Sequence, residues 1–372
     1  LPGHPKGLKS HKKKILFLVP YPLGLAPSQR FRFEQYFAAL ESAGFGLNVR
    51  CFFTASNWKI FYSPGRPIQK AMALFYGFAR RVADLARLPG CDRVFIHREA
   101  TPLGPPWFEW VTAKIFRKKI IYDFDDAIWL TDRAHETRLL KSLKWRSKVR
   151  AICTWSHKIS CGNDFLKAYA LRFNAGSVLN PTTVDTEHCH FRGQRRASKI
   201  KNEKEVIIGW TGSHSTLKYL NTIGPVLRQI EMQYPDVSFL VIADAPPDLN
   251  LQRLQFIPWN PATEMEDLLN IDIGIMPLPN EEWTKGKCGF KGLQYMALGI
   301  ATVMSAVGVN PEIILHGHNG FLARSDDDWV TFLSRLIEQP NLRHDLGACG
   351  QHTVEQRYSV QSNTRNFLSL FE

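Results

Sequence analysis

The chain has 372 residues, enough for two α/β domains that each bury their own core, and its composition is that of a soluble globular protein. No apolar run is long enough to span a bilayer. The seven cysteines are scattered, odd in number and free of C-x-x-C spacing, which argues against a disulfide framework and a structural zinc site. Lys and Arg number 47 against 34 Asp and Glu, a net charge of +13, which suits an anionic partner: a nucleotide diphosphate, anionic lipid headgroups or nucleic acid.

Residues 1–14 are basic but lack an apolar core before a cleavage site, so they do not read as a secretory signal, and with reduced thiols they predict a cytoplasmic protein. Residues 15–19 are a short apolar run, as in a buried parallel strand. Pro20, Pro22, Gly24 and Pro27 then break the chain, Ser28 offers a cap, and 30–40 reads as helix. Strands are predicted at 47–53, 93–97, 119–124, 158–161 and 177–179, mostly separated by helices. Within 58–87, Lys59, Arg66, Lys70, Arg80, Arg81 and Arg87 alternate with Phe61, Tyr62, Phe75, Tyr76 and Phe78. That pattern fits an interfacial helix on an anionic membrane surface, and also a surface helix with a solvated basic face. No nucleic-acid-binding module is recognised, so nucleic acid is not an expected partner.

Residues 188–204 are polar and basic, the best candidate linker. A second alternation follows: strand 206–210, helix 217–233, strands 238–242 and 254–257, helix 262–270, strand 273–276, a glycine-marked helix, strand 302–305, and a helical tail over 327–371. This predicts an α/β protein of two doubly wound, Rossmann-like domains facing a cleft. The first spans 1–187 and the second 205–350, with a C-terminal helix at 351–372 packing back on the first domain. Ligands in such sheets sit beyond the carboxyl ends of the strands.

Those ends carry the candidate chemistry. In the first half, Tyr122-Asp123-Phe124-Asp125-Asp126-Ala127-Ile128-Trp129 closes a strand, placing Asp123 and Asp125 on one face and Asp126 on the other. Such carboxylates can bind a divalent cation, orient hydroxyls, act as base or cap a helix. His97-Arg98-Glu99 ends a neighbouring strand, and Arg30 and Arg32 follow the first loop.

In the second half, Gly209-Trp210-Thr211-Gly212-Ser213 leaves a strand for a helix, with glycines that admit close approach to phosphate. Pro258-Trp259 offers a backbone edge and an aromatic plate for a base, or simply core packing. Lys287-Cys288-Gly289-Phe290-Lys291 opens a helix in which Leu293, Met296, Ala297 and Ile300 make a buried face and Lys291 and Gln294 project together. The free N–H groups around Gly289 and Phe290, with Lys287 and Lys291, would welcome phosphate.

The run 287–299 resembles the donor-site motif of family-4 glycosyltransferases, retaining enzymes of the GT-B fold, in a variant K-C-G-F-K-x-L-E-Y-M-A-x-G. Gln294 stands where the family usually has glutamate, and Gly286 where many members carry another. The 208–216 loop resembles the family's first donor-domain loop, with Lys218 matching its lysine and no clear arginine. Residues 256–269 resemble the segment lining the nucleobase, and 123–126 the D-F-D-D element of the same subset. The resemblance covers roughly 13–365.

It implies transfer of a sugar from a nucleotide-sugar to an acceptor hydroxyl with retention, without metal or other cofactor, in cell-surface polysaccharide or glycolipid synthesis. The acceptor would be a glycan or lipid-linked sugar, met at the inner face of the membrane. Asp125, Asp126 and Lys291 would be catalytic. Gly209, Thr211, Gly212, Ser213, Lys218, Pro258, Trp259, Lys287, Cys288, Gly289, Phe290 and Gln294 would bind the donor, and Arg30, Arg32, His97, Arg98 and Asp123 the acceptor. Gln294 keeps open a non-catalytic nucleotide-sugar-binding or scaffold relative, and a nucleotide-sugar epimerase-like enzyme is the second alternative.

Overall fold

The computed structural model describes residues 12–131, 142–187 and 205–372; the linker expected at 188–204 lies outside them. The first half is a six-stranded sheet of β1 (Lys14–Val19), β2 (Gly46–Cys51), β3 (Arg93–His97), β4 (Lys119–Phe124), β5 (Lys158–Cys161) and β6 (Ser177–Leu179), in the order β2-β1-β3-β4-β5-β6. The second contains β7 (Val206–Thr211), β8 (Val237–Ala243), β9 (Leu254–Pro258), β10 (Ile273–Met276), β11 (Ala301–Ser305) and β12 (Phe321–Ala323), in the order β12-β11-β10-β7-β8-β9. All pairings are parallel. Every residue of β3, β7, β8, β10 and β11 is buried, because helices cover both faces. The strand order reverses between β1 and β3 and between β7 and β10, so each sheet has a switch point where a crevice opens.

Two expected helices are interrupted. The 30–40 segment divides into Pro27–Arg30, a 3-10 turn at Glu34–Tyr36 and Phe37–Ser42. Phe33 leaves helical geometry (φ −142°) and is buried, as is Arg32 beside it. Ser28 is no cap: Pro27 is the first residue of the helix and Ala26 precedes it. The 217–233 segment breaks into Leu217–Asn221 and Gly224–Gln233, the second opening with a proline that cannot continue the first. The three-residue β12 was not expected; it is too short to show a period.

The helix Pro340–Arg357 packs with the second sheet, so the expected boundary at 350 falls inside it. The chain changes sides at Tyr358–Val360, where the Val184 N–H donates to the Tyr358 carbonyl (2.9 Å) and the Val360 N–H to the Val184 carbonyl (3.1 Å). The last helix, Val360–Ser369, then joins the first half. Phe367, Leu370 and Phe371 share a cluster with Ile15, Phe17 and Phe95, and Phe367 stacks on Tyr36 (4.3 Å).

Candidate active site

The two switch points face one another. A cavity between the halves is lined from the first by Pro27, Ser28, Arg32, Arg98, Asp125, Asp126 and Thr182, and from the second by Met276, Lys287, Cys288, Gly289, Phe290 and Lys291.

The floor on the first side is a buried polar network. Asp123, at the end of β4, accepts from Arg32, from Ser160 and from His97 Nδ1 (2.7 Å), and all four residues are fully or almost fully buried. Arg32 also donates to Ser160 Oγ (3.0 Å) and to the Asn180 carbonyl. Burial alone would raise the Asp123 carboxyl, but Arg32 and His97 outweigh it and hold it well below the usual carboxylate range. Asp123 thus uses both carboxylate oxygens within the floor, His97 keeps only Nε2 without a partner among the described residues, and the Arg32 guanidinium is held against Asp123 at the cavity wall. The buried Arg32 and Asp123 charges are tolerated here because each is the other's partner.

Above the floor, Arg98 adopts a left-handed backbone (φ 59°) and forks onto two carboxylates, Nε to Asp125 Oδ1 (2.9 Å) and Nη2 to Asp126 Oδ2 (2.7 Å). Lys287 reaches across the cleft to Asp126 Oδ1 (2.8 Å). Burial opposes ionisation of Asp126, yet Lys287 and Arg98 hold its carboxyl below the ordinary range, which makes it a poor base and a good clamp. More contacts seal this edge. Asn163, which sequence reading missed, donates to the Lys285 and Lys287 carbonyls (3.1 and 2.9 Å), and Phe31 packs on Phe290 (4.2 Å). Cys288 donates its thiol proton to the Asp125 carbonyl (3.1 Å); burial pushes that thiol up, so its role is packing between the halves. Gly286 explains its own departure from the family pattern: a Cβ there would lie 2.7 Å from Ala127 Cβ and 2.8 Å from Ala127 N, leaving no room for glutamate.

The helix Phe290–Ala297 is the second side's contribution. Gly289 caps it at φ +67°, and a Cβ at that position would meet Ile313 at 2.2 Å, so only glycine fits. The first N–H groups of the helix have no intrahelical carbonyl and open into the cavity rim. Lys291 lies one residue into the helix with Nζ 5.3 Å from the Trp210 ring centroid, and has no hydrogen-bonded or ion-paired partner among the described residues. Burial, reinforced by Lys287 and opposed by Asp126, pulls its ammonium down to about 8.

One turn further along, Gln294 is buried and donates to Glu264 Oε1 (3.3 Å). Glu264 also accepts from Trp259 Nε1 (3.1 Å) and from Arg30 Nη2 (2.7 Å), the latter from the opposite half. Sequence reading assigned Glu264 no role, since an acid in the first turn of a helix is ordinary dipole chemistry.

Other expected donor residues do not line this cavity. Gly209 is inside β7, where a Cβ would lie 2.2 Å from Ile271; it serves packing, not phosphate approach. Thr211 is buried, its N–H given to Tyr295 Oη (2.8 Å). Ser213 caps the following turn with Thr216, Gly212 makes room for the Trp210 indole, and Lys218 is exposed with its ammonium over the Tyr219 ring. Pro258 is exposed at the end of β9. Among the described residues no three His, Cys, Asp or Glu side chains gather as a metal site.

Residues 205–339 match the family model for glycosyl transferases group 1. In fold, the chain is similar to sucrose-phosphate synthase from Thermosynechococcus elongatus (TM-score 0.73, 15% identity, covering 96% of this chain and 98% of that one). It is similar to HepE from Anabaena in complex with UDP and glucose (TM-score 0.66, 13% identity, 96% and 99%). It is also similar to UDP-GlcNAc 2-epimerase from Neisseria meningitidis bound to UDP-GlcNAc (TM-score 0.58, 12% identity, 96% and 98%). No match was found among curated proteins. The architecture is that of the GT-B fold, two facing Rossmann-like halves, and the match to the group 1 model falls within the second.

Proposed function

We propose that the protein is a retaining glycosyltransferase of the family-4 type, moving a sugar from a nucleotide-sugar, with UDP as the first base to try, to an acceptor hydroxyl in cell-surface polysaccharide or glycolipid synthesis. The observation that carries this reading is Lys291: a half-buried ammonium without an ionic partner among the described residues, beside the open N-terminus of a helix, in a cleft between two switch points. In this reading the diphosphate lies on the N–H groups after Gly289, with Lys291 against it. When the anomeric C–O bond breaks, charge develops on the diphosphate, and these groups are already aimed at it. Asp126 keeps Lys287 and Arg98 at the rim as positioning partners. Closure of the halves excludes water from the reacting centre. The complexes of HepE with UDP and glucose and of the epimerase with UDP-GlcNAc support a uridine nucleotide.

Calorimetric titration with UDP, GDP, ADP and CDP, without added metal, is expected to show selective binding of one of them. Incubation of the matching nucleotide-sugar with a glycan or lipid-linked acceptor should then release the diphosphate and give a glycosidic product. Failure to bind any of the four would overturn the reading.

The acceptor is proposed to be met at an anionic membrane surface. No described helix is long and apolar enough to cross a membrane. The helix Pro67–Asp84, however, turns Ile68 (75% exposed), Met72 (66%), Phe75 (77%), Tyr76 and Val82 to solvent as one stripe. Arg66, Lys70, Arg80 and Arg87 accompany it, and the one acid within 55–90, Asp84, is buried against Arg50 and Arg81. Arg81 itself is removed from the basic face, donating to the Val19, Arg50 and Ala100 carbonyls. An apolar stripe edged by cations suits an anionic bilayer surface. Co-sedimentation is expected with phosphatidylglycerol-containing vesicles and not with pure phosphatidylcholine. Phe75→Ser with Met72→Ser should cut it about tenfold or more; vesicle binding unchanged by that pair would sink the proposal.

A further inference from the structure

Glu264, where the two halves touch, gathers three donors that the site described above does not use. Its carboxylate is almost fully buried at the start of the helix Glu264–Leu268. Oε1 takes the Trp259 indole N–H and the Gln294 amide, and Oε2 takes Arg30 from the other half. Next to this contact, Arg30 Nη1 is buried without a partner among the described residues. The site lies beside the half-buried Trp259 and one helix turn, about 5 Å along the axis, beyond the N–H groups that face the cavity.

We propose that Glu264 is the carboxylate that accepts the ribose hydroxyls of the nucleotide-sugar, and that residue 294 is glutamine because Glu264 holds the charge. The proposal rests on the nucleotide-sugar reading above. A ribose attached to a phosphate at Gly289–Phe290 falls one turn along the helix and presents two adjacent O–H donors. An ionised carboxylate is the strongest acceptor for them. Position 294 has only a neutral amide, and its NH2 donates to Glu264 and holds that carboxylate in place. A glutamate at 294 would set a second carboxylate about 3.3 Å from the first, a separation at which both cannot stay ionised. A carboxylate has roughly four acceptor positions; three are taken, which leaves one for a ribose hydroxyl, and the buried, unpartnered Arg30 Nη1 beside it can donate to the neighbouring hydroxyl oxygen. Gln294 is thus part of a displaced charge and no mark of decay.

Titrations should compare the selected nucleoside diphosphate with its 2′,3′-dideoxy analogue. The wild-type protein is expected to prefer the ribose form by at least about tenfold. Glu264→Gln, nearly isosteric and checked for cooperative unfolding, should erase that preference while still binding through the phosphates. Gln294→Glu alone should weaken binding, and the exchange Glu264→Gln with Gln294→Glu should restore the preference. Equal binding of the two nucleotides by the wild type, or tighter binding by Gln294→Glu, would overturn this assignment and leave the nucleotide-sugar reading standing. Absence of any nucleotide binding would overturn both.

Discussion

Lys291→Ala is expected to weaken binding of the selected nucleoside diphosphate by about 30- to 150-fold, the equivalent of about 2–3 kcal/mol for a charged hydrogen-bonding group in a dry site. Calorimetry reads it directly, and an effect below about threefold would remove Lys291 from the donor site. The pH dependence gives a second readout. The ammonium is pulled down to about 8, first by burial and then by Lys287, against the pull of Asp126. Below that pH the amine is protonated before ligand arrives and affinity is full. Above it the protein must take up a proton to receive the diphosphate, so affinity should fall, by up to about tenfold per pH unit. Lys291→Arg, whose charge does not titrate in this range, should flatten the profile between about pH 7.5 and 9.5.

Asp123→Asn is expected to cost about 3–5 kcal/mol of stability, because it leaves the Arg32 guanidinium buried without its counter-charge. Urea denaturation with an unchanged slope would measure this; a loss under about 1 kcal/mol would show that Ser160 and the Asn180 carbonyl suffice for Arg32. The sign of the pH effect follows from the direction of the shift. Burial raises the Asp123 carboxyl, but Arg32 and His97 together lower it further, so its folded value lies below its unfolded value. The stabilisation is therefore complete above the unfolded carboxylate value of about 4 and lost as pH falls toward the folded one. Wild type should lose this component in acid, and Asp123→Asn should lack it throughout.

Much of the architecture was legible because its causes are local. The apolar runs of β3 and β10 are those of strands covered on both faces, and the alternation of strands and helices leaves few topologies. The start of the helix Phe290–Ala297 was legible for the same reason. Gly289, the free N–H groups after it and Lys291 lie within one helical turn, so their meeting needs no tertiary information. The broken 30–40 helix was not legible, since its interruption turns Arg32 toward Asp123, 91 residues away.

Glycines and charges were where local reading failed. Gly209 and Gly289 look alike in sequence, yet one admits Ile271 and the other supplies a left-handed cap; the neighbour decides, and the neighbour is remote. Gly286 faces Ala127 across the cleft, and Asp125 and Asp126 are clamped by Arg98 and Lys287 from separate elements. What the amino-acid sequence determined by itself was two doubly wound halves and a glycine-capped helix start with a lysine in its first turn, because strand burial and helix capping are set by residues within a few positions. What only the tertiary structure decided was which charge meets which. Coulomb energy depends on distance and burial, so the carboxylate at 264, 30 residues from Gln294 and 234 from Arg30, becomes visible as a site only once the halves are packed together.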